Sequence, residues 1–566
     1  MKNAGKKWFY LLIIALAAYT IKNIFVGVDN DETYGIVLGY RLANGDKLLL
    51  EMWEPHQTSA IFTALFIKPF LWISKGNVVF LNIYLRVIYF IVHGTIAWAI
   101  YNSFKLCFEN TEKEYAKWFG LIFFVSSPKC IYIPEYSNLH MWFFTLLAMS
   151  FLWYYSKKSP KHGKISVLVL AGVFLTCDVL AYPSMALLYP VCIVLIWKKH
   201  LQSILKEVLA FSLPSVLGVL GLFGYIMSYM TREQIASVIP LILGDGSHAV
   251  SMAEKGNDIL TSFCEIAVVL GIGAILAGII TWVYVFLKKI EDKEQREQKF
   301  FLVYYLFLML HQFYCWFTSE YNASYPHIIY IFICLSGLFY FYKTKEKDTK
   351  GLFLMLFSFL SYLGIIIMSN WEPVHLIPYL LPGVLGGLVY WRKYWDKKVW
   401  FGKDVFRICC AIMVISNIFG YCYLIIGGAD IHSTIFTVRG INRSGFRKGI
   451  FAEYMSAYTY NMNQENWQEA IQAGDAVLYV GPNSAFYMQG DCVIATGSTI
   501  STPTYDESLL EYWKLNPERY PDVVVFESMW GTISVVEEDS FMMQWLREEF
   551  KPTSMKEYPY VTVYSR

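Results

Sequence analysis

Long apolar runs recur through this chain, separated by short connectors crowded with lysine: KKSPKHGK at 157–164, KKIEDKEQREQK at 288–299, KTKEKDTK at 343–350 and WRKYWDKK at 391–398. A run near the ~20 residues that cross a ~30 Å hydrocarbon core folds there as a helix, because each backbone N–H and C=O must be satisfied within the segment. Lysine-rich connectors stay on the cytoplasmic side. The two rules together predict a polytopic α-helical membrane protein of about thirteen helices, with its N-terminus in the cytoplasm and its C-terminus outside.

Lys2, Lys6 and Lys7 precede the first run, Trp8 to Val28, which carries no A-x-A cleavage site and reads as an uncleaved first helix. Further runs extend from Val78 to Tyr101, Tyr115 to Ser127 and Met141 to Tyr155, and on to Val405–Ile426. Ile165 to Trp197 is too long for one crossing and has lysines at both flanks, so two short helices are predicted, meeting near Asp178 to Ser184. Composition agrees: 56% of the 566 residues are hydrophobic and 16% charged, where a soluble domain carries roughly a quarter charged. The net charge of +2 is sorted by segment and forms no continuous basic face, which argues against a nucleic-acid partner. Eleven cysteines include no CxxC and read as small core residues.

The first outer loop, residues 28–77, gathers Asp29, Asp31, Glu32, Glu51, Glu54 and His56 between two apolar spans. Carboxylates at a membrane surface are costly unless solvated, paired or catalytic, so this loop is the expected chemical end of the protein. Tyr34, Val37, Leu38 and Leu42 recur at helical spacing, as do Ile61, Phe62, Leu65 and Phe66, predicting two amphipathic interfacial helices. Such a shelf can hold a lipid tail in the bilayer and its head group in water. After residue 427 the pattern changes to alternating strand and helix, with strand-like Ala476–Val480 and Asp522–Phe526 and helix-like Glu507–Leu515. Residues 428–566 are therefore expected to form an extracytoplasmic α/β domain beside a membrane domain of residues 1–427. No GxGxxG or P-loop indicates a nucleotide site.

The Asp31-Glu32 pair of DNDETY directly after the first span, followed by an outer loop of two interfacial helices and many spans, resembles the GT-C superfamily of membrane glycosyltransferases. That superfamily includes protein O-mannosyltransferases and lipid A aminoarabinose transferases. Leu175–Pro190 and VHLIPYLLPG at 374–383 are similar to it as well, although Asp178 and Tyr182 flank the place where relatives carry a lysine, and EPHQTS at 54–59 lacks the prolines of a His-Pro-Pro segment. The resemblance implies an acid of the pair in catalysis and a donor sugar on a polyprenyl or dolichyl phosphate.

Sugar transfer from a lipid phosphate needs a base for the acceptor hydroxyl and a cationic or hydrogen-bonding environment for the departing phosphate. Asp31 is the expected base, with Glu32 or Asp29 as helper; its structural alternative is a helix N-cap. Donor or acceptor contacts are expected from His56, Glu54, Glu135, Asp178, Tyr182, Arg232, His327 and His375, with hydration as the alternative for Glu135 and interface anchoring for the two span-initial histidines. The Asp/Glu/His set supplies ligand types for a divalent metal, but no spacing identifies a site. Nothing indicates another cofactor. The expected activity is inverting transfer to a cell-envelope glycan, lipid or protein at the outer face of a bacterial plasma membrane. The alternative is a transporter or flippase of lipid-linked sugars, in which Asp178 and Arg86 would form the pathway.

Overall fold

A computed structural model describes residues 2–108, 115–156, 161–197, 204–243, 251–318, 327–345, 348–369, 371–396, 403–425, 434–481, 484–488, 490–499, 506–527, 540–559 and 561–566. Among them, eight helices are long and apolar enough to cross a membrane: Leu81–Cys107, Lys164–Ala181, Ile204–Met227, Ala253–Lys288, Lys293–Thr318, Lys350–Ile367, Pro373–Trp395 and Asp404–Tyr423. Three shorter apolar helices, Tyr10–Phe25, Pro183–Trp197 and Ile328–Thr344, accompany them. The chain is a multi-pass helical membrane protein.

Two more of the expected helices form as Ala116–Phe124 and Tyr136–Tyr155. The first, at nine residues, is only ~14 Å long and reaches about half way through a ~30 Å core. The Ile165–Trp197 run divides where Tyr182 leaves the helical region (φ −141°, ψ 95°), since the residue before a proline disfavours the α conformation and Pro183 opens a 3-10 turn. The boundary expected at 427/428 lies outside the described residues, as do 157–160, 346–347 and 397–398 of the lysine connectors.

Both helices of the first outer loop form, Asn30–Ala43 and Ala60–Ser74. Gly39 lets them touch, for a Cβ there would lie 2.7 Å from the Thr63 side chain. The first helix departs from the expected interfacial shelf. Glu32 to Gly39 and Arg41 are all buried, because the tail packs over it.

That tail contains an antiparallel pair, β1 (Val438–Ile441) and β2 (Phe451–Glu453), and a five-stranded sheet. The sheet comprises β3 (Ala476–Val480), β4 (Val493–Ile494), β5 (Val523–Glu527), β6 (Ser554–Glu557) and β7 (Val561–Ser565) in the order β4-β3-β5-β7-β6. β3 pairs in parallel with β4 and β5, whereas β7 runs antiparallel to β5 and β6. Every residue of β3 and β5 is buried, as continuous apolar strands covered on both faces require. Val477, Tyr479, Val523 and Val525 share one cluster with Ile36, Val37, Ile67 and Leu85 of the membrane part. Their strand neighbours Leu478, Val480, Val524 and Phe526 pack instead with Trp53, Tyr512, Trp513 and Trp545. The period-2 alternation of the strands thus seats the sheet on the first outer loop.

Candidate functional site

The loop acids are separated by helix capping. Asp29, in extended conformation, caps the helix Asn30–Ala43, its carboxylate accepting the N–H groups of Asp31 (2.7 Å) and Glu32 (3.2 Å). The cap is therefore Asp29, and Asp31 is left to point elsewhere. Burial, with the neighbouring Asp31 and Glu32 charges, raises Asp29 to about 7. Glu32 is buried in a two-pronged pair with Arg86, Nε–Oε1 2.7 Å and Nη2–Oε2 2.6 Å. The same guanidinium donates to the carbonyls of Asn23, Ile24, Val26 and Gly27, so it ties off the end of the first helix. Glu32 is thus held in a buried ion pair, apart from the more open Asp31 carboxylate.

Glu54 is held in the same manner. It lies fully buried between Arg41 (3.2 Å) and the Thr499 N–H (3.2 Å). Arg41 also binds Asp46 at 2.8 Å and the carbonyls of Thr496 and Gly497 at 3.0 and 3.2 Å. Arg519 of the tail reaches back to Asp46 (2.7 Å) and Glu51 (3.0 Å). These acids clamp the tail to the loop.

The Asp31 carboxylate is 41% exposed, where those of Glu32, Glu51 and Glu54 are 1%, 11% and 1% exposed. Its partner is the Lys129 ammonium at 3.2 Å, itself 8% exposed. Lys129 also donates to the Tyr136 hydroxyl at 2.5 Å and lies 3.9 Å from the centre of the Trp371 ring. Burial pulls this ammonium down, but the charge of Asp31, with smaller contributions from Tyr379, Glu135 and Tyr182, outweighs it and holds the pKa above the ordinary lysine value. The lysine stays charged.

The loop that carries Lys129 is held tightly. The Asn138 side chain donates to the carbonyls of Ile131 and Ile133, both at 2.9 Å, and Thr63 donates to the Pro134 carbonyl. Cys130 adopts φ 57°, an uncommon state for a residue other than glycine. Gly35 permits the approach, because a Cβ there would meet that of Glu135 at 2.7 Å. Glu135 is not hydrated: it is buried and caps the helix Tyr136–Tyr155, accepting from Ser137 and Asn138 at 2.9 Å. Burial raises it to about 7, against the pull of Lys129.

An aromatic wall borders the pair. His56 stacks on Tyr136 with centroids 4.0 Å apart and planes within 1°, and Tyr182 lies obliquely against His56 at 5.2 Å. Behind Tyr182, His140 and Asp178 form a buried pair at 2.7 Å. Asp178 thus holds His140, whose ring lies 5.7 Å from that of Tyr182. His375 stands at the rim, 3.7 Å from Glu372 and edge-on to Trp371. His327 is buried elsewhere against Tyr421 (3.1 Å) and Trp316, and Arg232 opens an exposed helix, Arg232–Leu243, with no described contact to this cluster. Neither joins the site. Arg86 and Asp178, the charges a transport pathway would use, are both locked in pairs.

Beside the wall opens an apolar groove of about 970 Å³, lined among others by Leu42, Ile61, Leu65, Trp72, Leu222 and Tyr225. Leu180 also lines it, two residues from Tyr182. Among the described residues no group of three or more His, Cys, Asp or Glu side chains is placed to hold a metal ion. The Asp31 carboxylate faces an ammonium where a divalent ion would need further oxygen ligands, so this donor set does not fit a metal.

Sequence reasoning missed Lys129, Tyr136, Trp371 and His140. The available signal was Lys129 itself, the only lysine in the stretch Ser127–His140, which the sequence places between two apolar runs.

No protein-family model and no curated protein matches this chain. Among solved structures it is similar to ArnT from Cupriavidus metallidurans bound to undecaprenyl phosphate, at 10% identity and a TM-score of 0.45, over 98% of both chains. An Archaeoglobus fulgidus oligosaccharyltransferase in complex with Zn and sulfate is similar at 10% identity and TM-score 0.45, over 91% of this chain and 67% of that one. AglB from the same archaeon, in complex with an inhibitory peptide and a dolichol-phosphate, is similar at 9% identity and TM-score 0.38, over 92% and 70%.

Proposed function

We propose that this chain is an inverting glycosyltransferase that moves a sugar from a polyprenyl-phosphate donor to a cell-envelope glycan, lipid or protein. The observation that carries the reading is the open Asp31 carboxylate beside the buried, charged Lys129. The two supply the base and the cation that this transfer requires, within one contact distance.

The acceptor hydroxyl oxygen attacks the anomeric carbon as its proton passes to Asp31. The bond from that carbon to the phosphate oxygen breaks, and polyprenyl phosphate leaves with the bonding electrons. Lys129 holds the departing phosphate through a charge-assisted hydrogen bond, in a site whose burial strengthens it. In the resting state Lys129 is paired with Asp31; an incoming phosphate competes for the ammonium and frees the carboxylate for the acceptor. The His56–Tyr136–Tyr182 wall gives the sugar ring an apolar face to lie on, and the groove that passes Leu180 takes the first isoprene units.

Residues 1–427 act as the membrane glycosyltransferase domain and residues 428–566 as an extracytoplasmic α/β domain. The N-terminus lies in the cytoplasm of a bacterial cell and the site at the outer face. The test compares lipid-linked sugars and envelope glycans of cells with and without the protein. Accumulation of a polyprenyl-phosphate sugar in the deleted strain identifies the donor; unchanged lipid-linked pools with unchanged glycans would remove the reading.

A further inference from the structure

The stretch from Thr434 to Tyr458 carries Arg439, Arg443, Arg447 and Lys448 against a single acid, Glu453. Arg447 is buried, where burial lowers it to about 10, but the other three basic residues are exposed. In β1 and β2 the register sets Ile441 opposite Phe451, and both are exposed, while Ala452 and the Gly440 position turn the other way toward Ala457. Phe436 is 76% exposed just before β1, and Tyr454, Met455 and Tyr458 are exposed just after β2. Soluble surfaces rarely gather this many large apolar groups without a partner.

Three contacts fix where this surface sits. The Gly27 N–H, just beyond the helix Lys2–Phe25, donates to the Phe451 carbonyl at 2.8 Å. The Asn82 N–H, in the first turn of Leu81–Cys107, donates to the Phe446 carbonyl at 3.1 Å. The ring of Tyr423, the last residue of Lys403–Tyr423, lies 6.2 Å from that of Phe436. The segment therefore rests on the tail-side ends of three apolar helices, at the level where hydrocarbon gives way to head groups. The Lys448 ammonium lies 5.3 Å from the ring of Phe80, which is exposed just before the helix Leu81–Cys107, so the apolar surface continues onto the end of that helix.

We infer that residues 435–458 form a membrane-seating surface that lays its apolar side chains into an anionic phospholipid leaflet, with Arg439, Arg443 and Lys448 on the phosphates. Aromatic rings and basic side chains at one level are the groups that partition to this boundary. Each exposed cation adds attraction to anionic lipid within a Debye length. Seating here fixes the height and tilt of the tail over the first outer loop, independently of what the site catalyses.

The experiment uses the full chain in lipid nanodiscs containing phosphatidylglycerol. A bimane fluorophore is placed by Met455→Cys in a Cys264→Ser background, with Met555→Cys on the exposed edge strand β6 as control. The label at position 455 is expected to lose most of its emission to brominated lipid chains and little to aqueous iodide, and the label at 555 to show the reverse. Replacing Arg439, Arg443 and Lys448 together by glutamate, or phosphatidylglycerol by phosphatidylcholine, is expected to restore much of the emission at 455. A label at 455 that iodide quenches as fully as one at 555 overturns the seating. Lipid quenching indifferent to both the charge reversal and the lipid change overturns the anionic part.

Discussion

The backbone N–H of Asp31 donates to the Asp29 carboxylate at 2.7 Å, so of two acids two positions apart one caps the helix and the other is presented to Lys129. Because the cap lies at Asp29, Asp31→Asn tests chemistry with little structural cost. It is expected to insert and melt normally, to bind the polyprenyl-phosphate donor, and to transfer sugar at least ~100-fold more slowly, the lower end of general-base catalysis. Asp29→Ala is expected to lose ~1 kcal/mol of stability with the cap. Near-full transfer by purified Asp31→Asn would end the assignment of the base.

Lys129 is expected to act on the donor more than on the acceptor. Lys129→Met removes a charge-assisted bond of ~1.5–3 kcal/mol and is expected to raise the donor KM or Kd by roughly one to two orders of magnitude, with the acceptor KM nearly unchanged. Lys129→Arg should recover part of the loss. Titration with donor analogues of increasing phosphate charge measures it.

Chelation tests the charge carrier at the site. Since an ammonium stands beside Asp31 and no cluster of metal-ligating groups converges among the described residues, transfer by the purified protein is expected to survive excess EDTA. Loss of activity in EDTA, restored by one divalent ion, would place a metal where Lys129 is assigned.

Glu135 makes stability depend on pH. A carboxyl held at about 7 in the fold against 4.5 when free binds more protons folded than unfolded across that window. Its contribution is therefore full below about pH 4.5 and lost as pH rises to about 7. Thermal melts from pH 5 to pH 8 are expected to show Tm falling with pH, and Glu135→Gln, which keeps the capping oxygen, to flatten that fall. An equal slope in the variant would contradict the assignment.

The Arg41 clamp holds loop and tail together. Arg41→Ala leaves Glu54 buried without its cation, a defect of ~3–5 kcal/mol, and is expected to make the tail sensitive to added protease. Adding Glu54→Gln should restore much of the resistance, because the stranded charge is gone. Limited proteolysis of both variants in detergent gives the comparison.

What the sequence by itself determined is the partition between lipid and water. Apolar runs, lysine connectors and alternating strands are local patterns, and each reports the solvent its own segment meets. Hence the membrane helices, a break near Asp178 to Ser184 and the β3 and β5 strands could be read directly. The first outer loop could be read as acid-rich, but not which acid was available for chemistry. That was decided by partners distant in sequence: Lys129 for Asp31, Arg86 for Glu32, and Arg41, with Thr499 from the tail, for Glu54. A buried charge must be paired with whatever cation the fold brings to it. In a chain whose acids look alike locally, only the packing of helices and tail decides which one stays open.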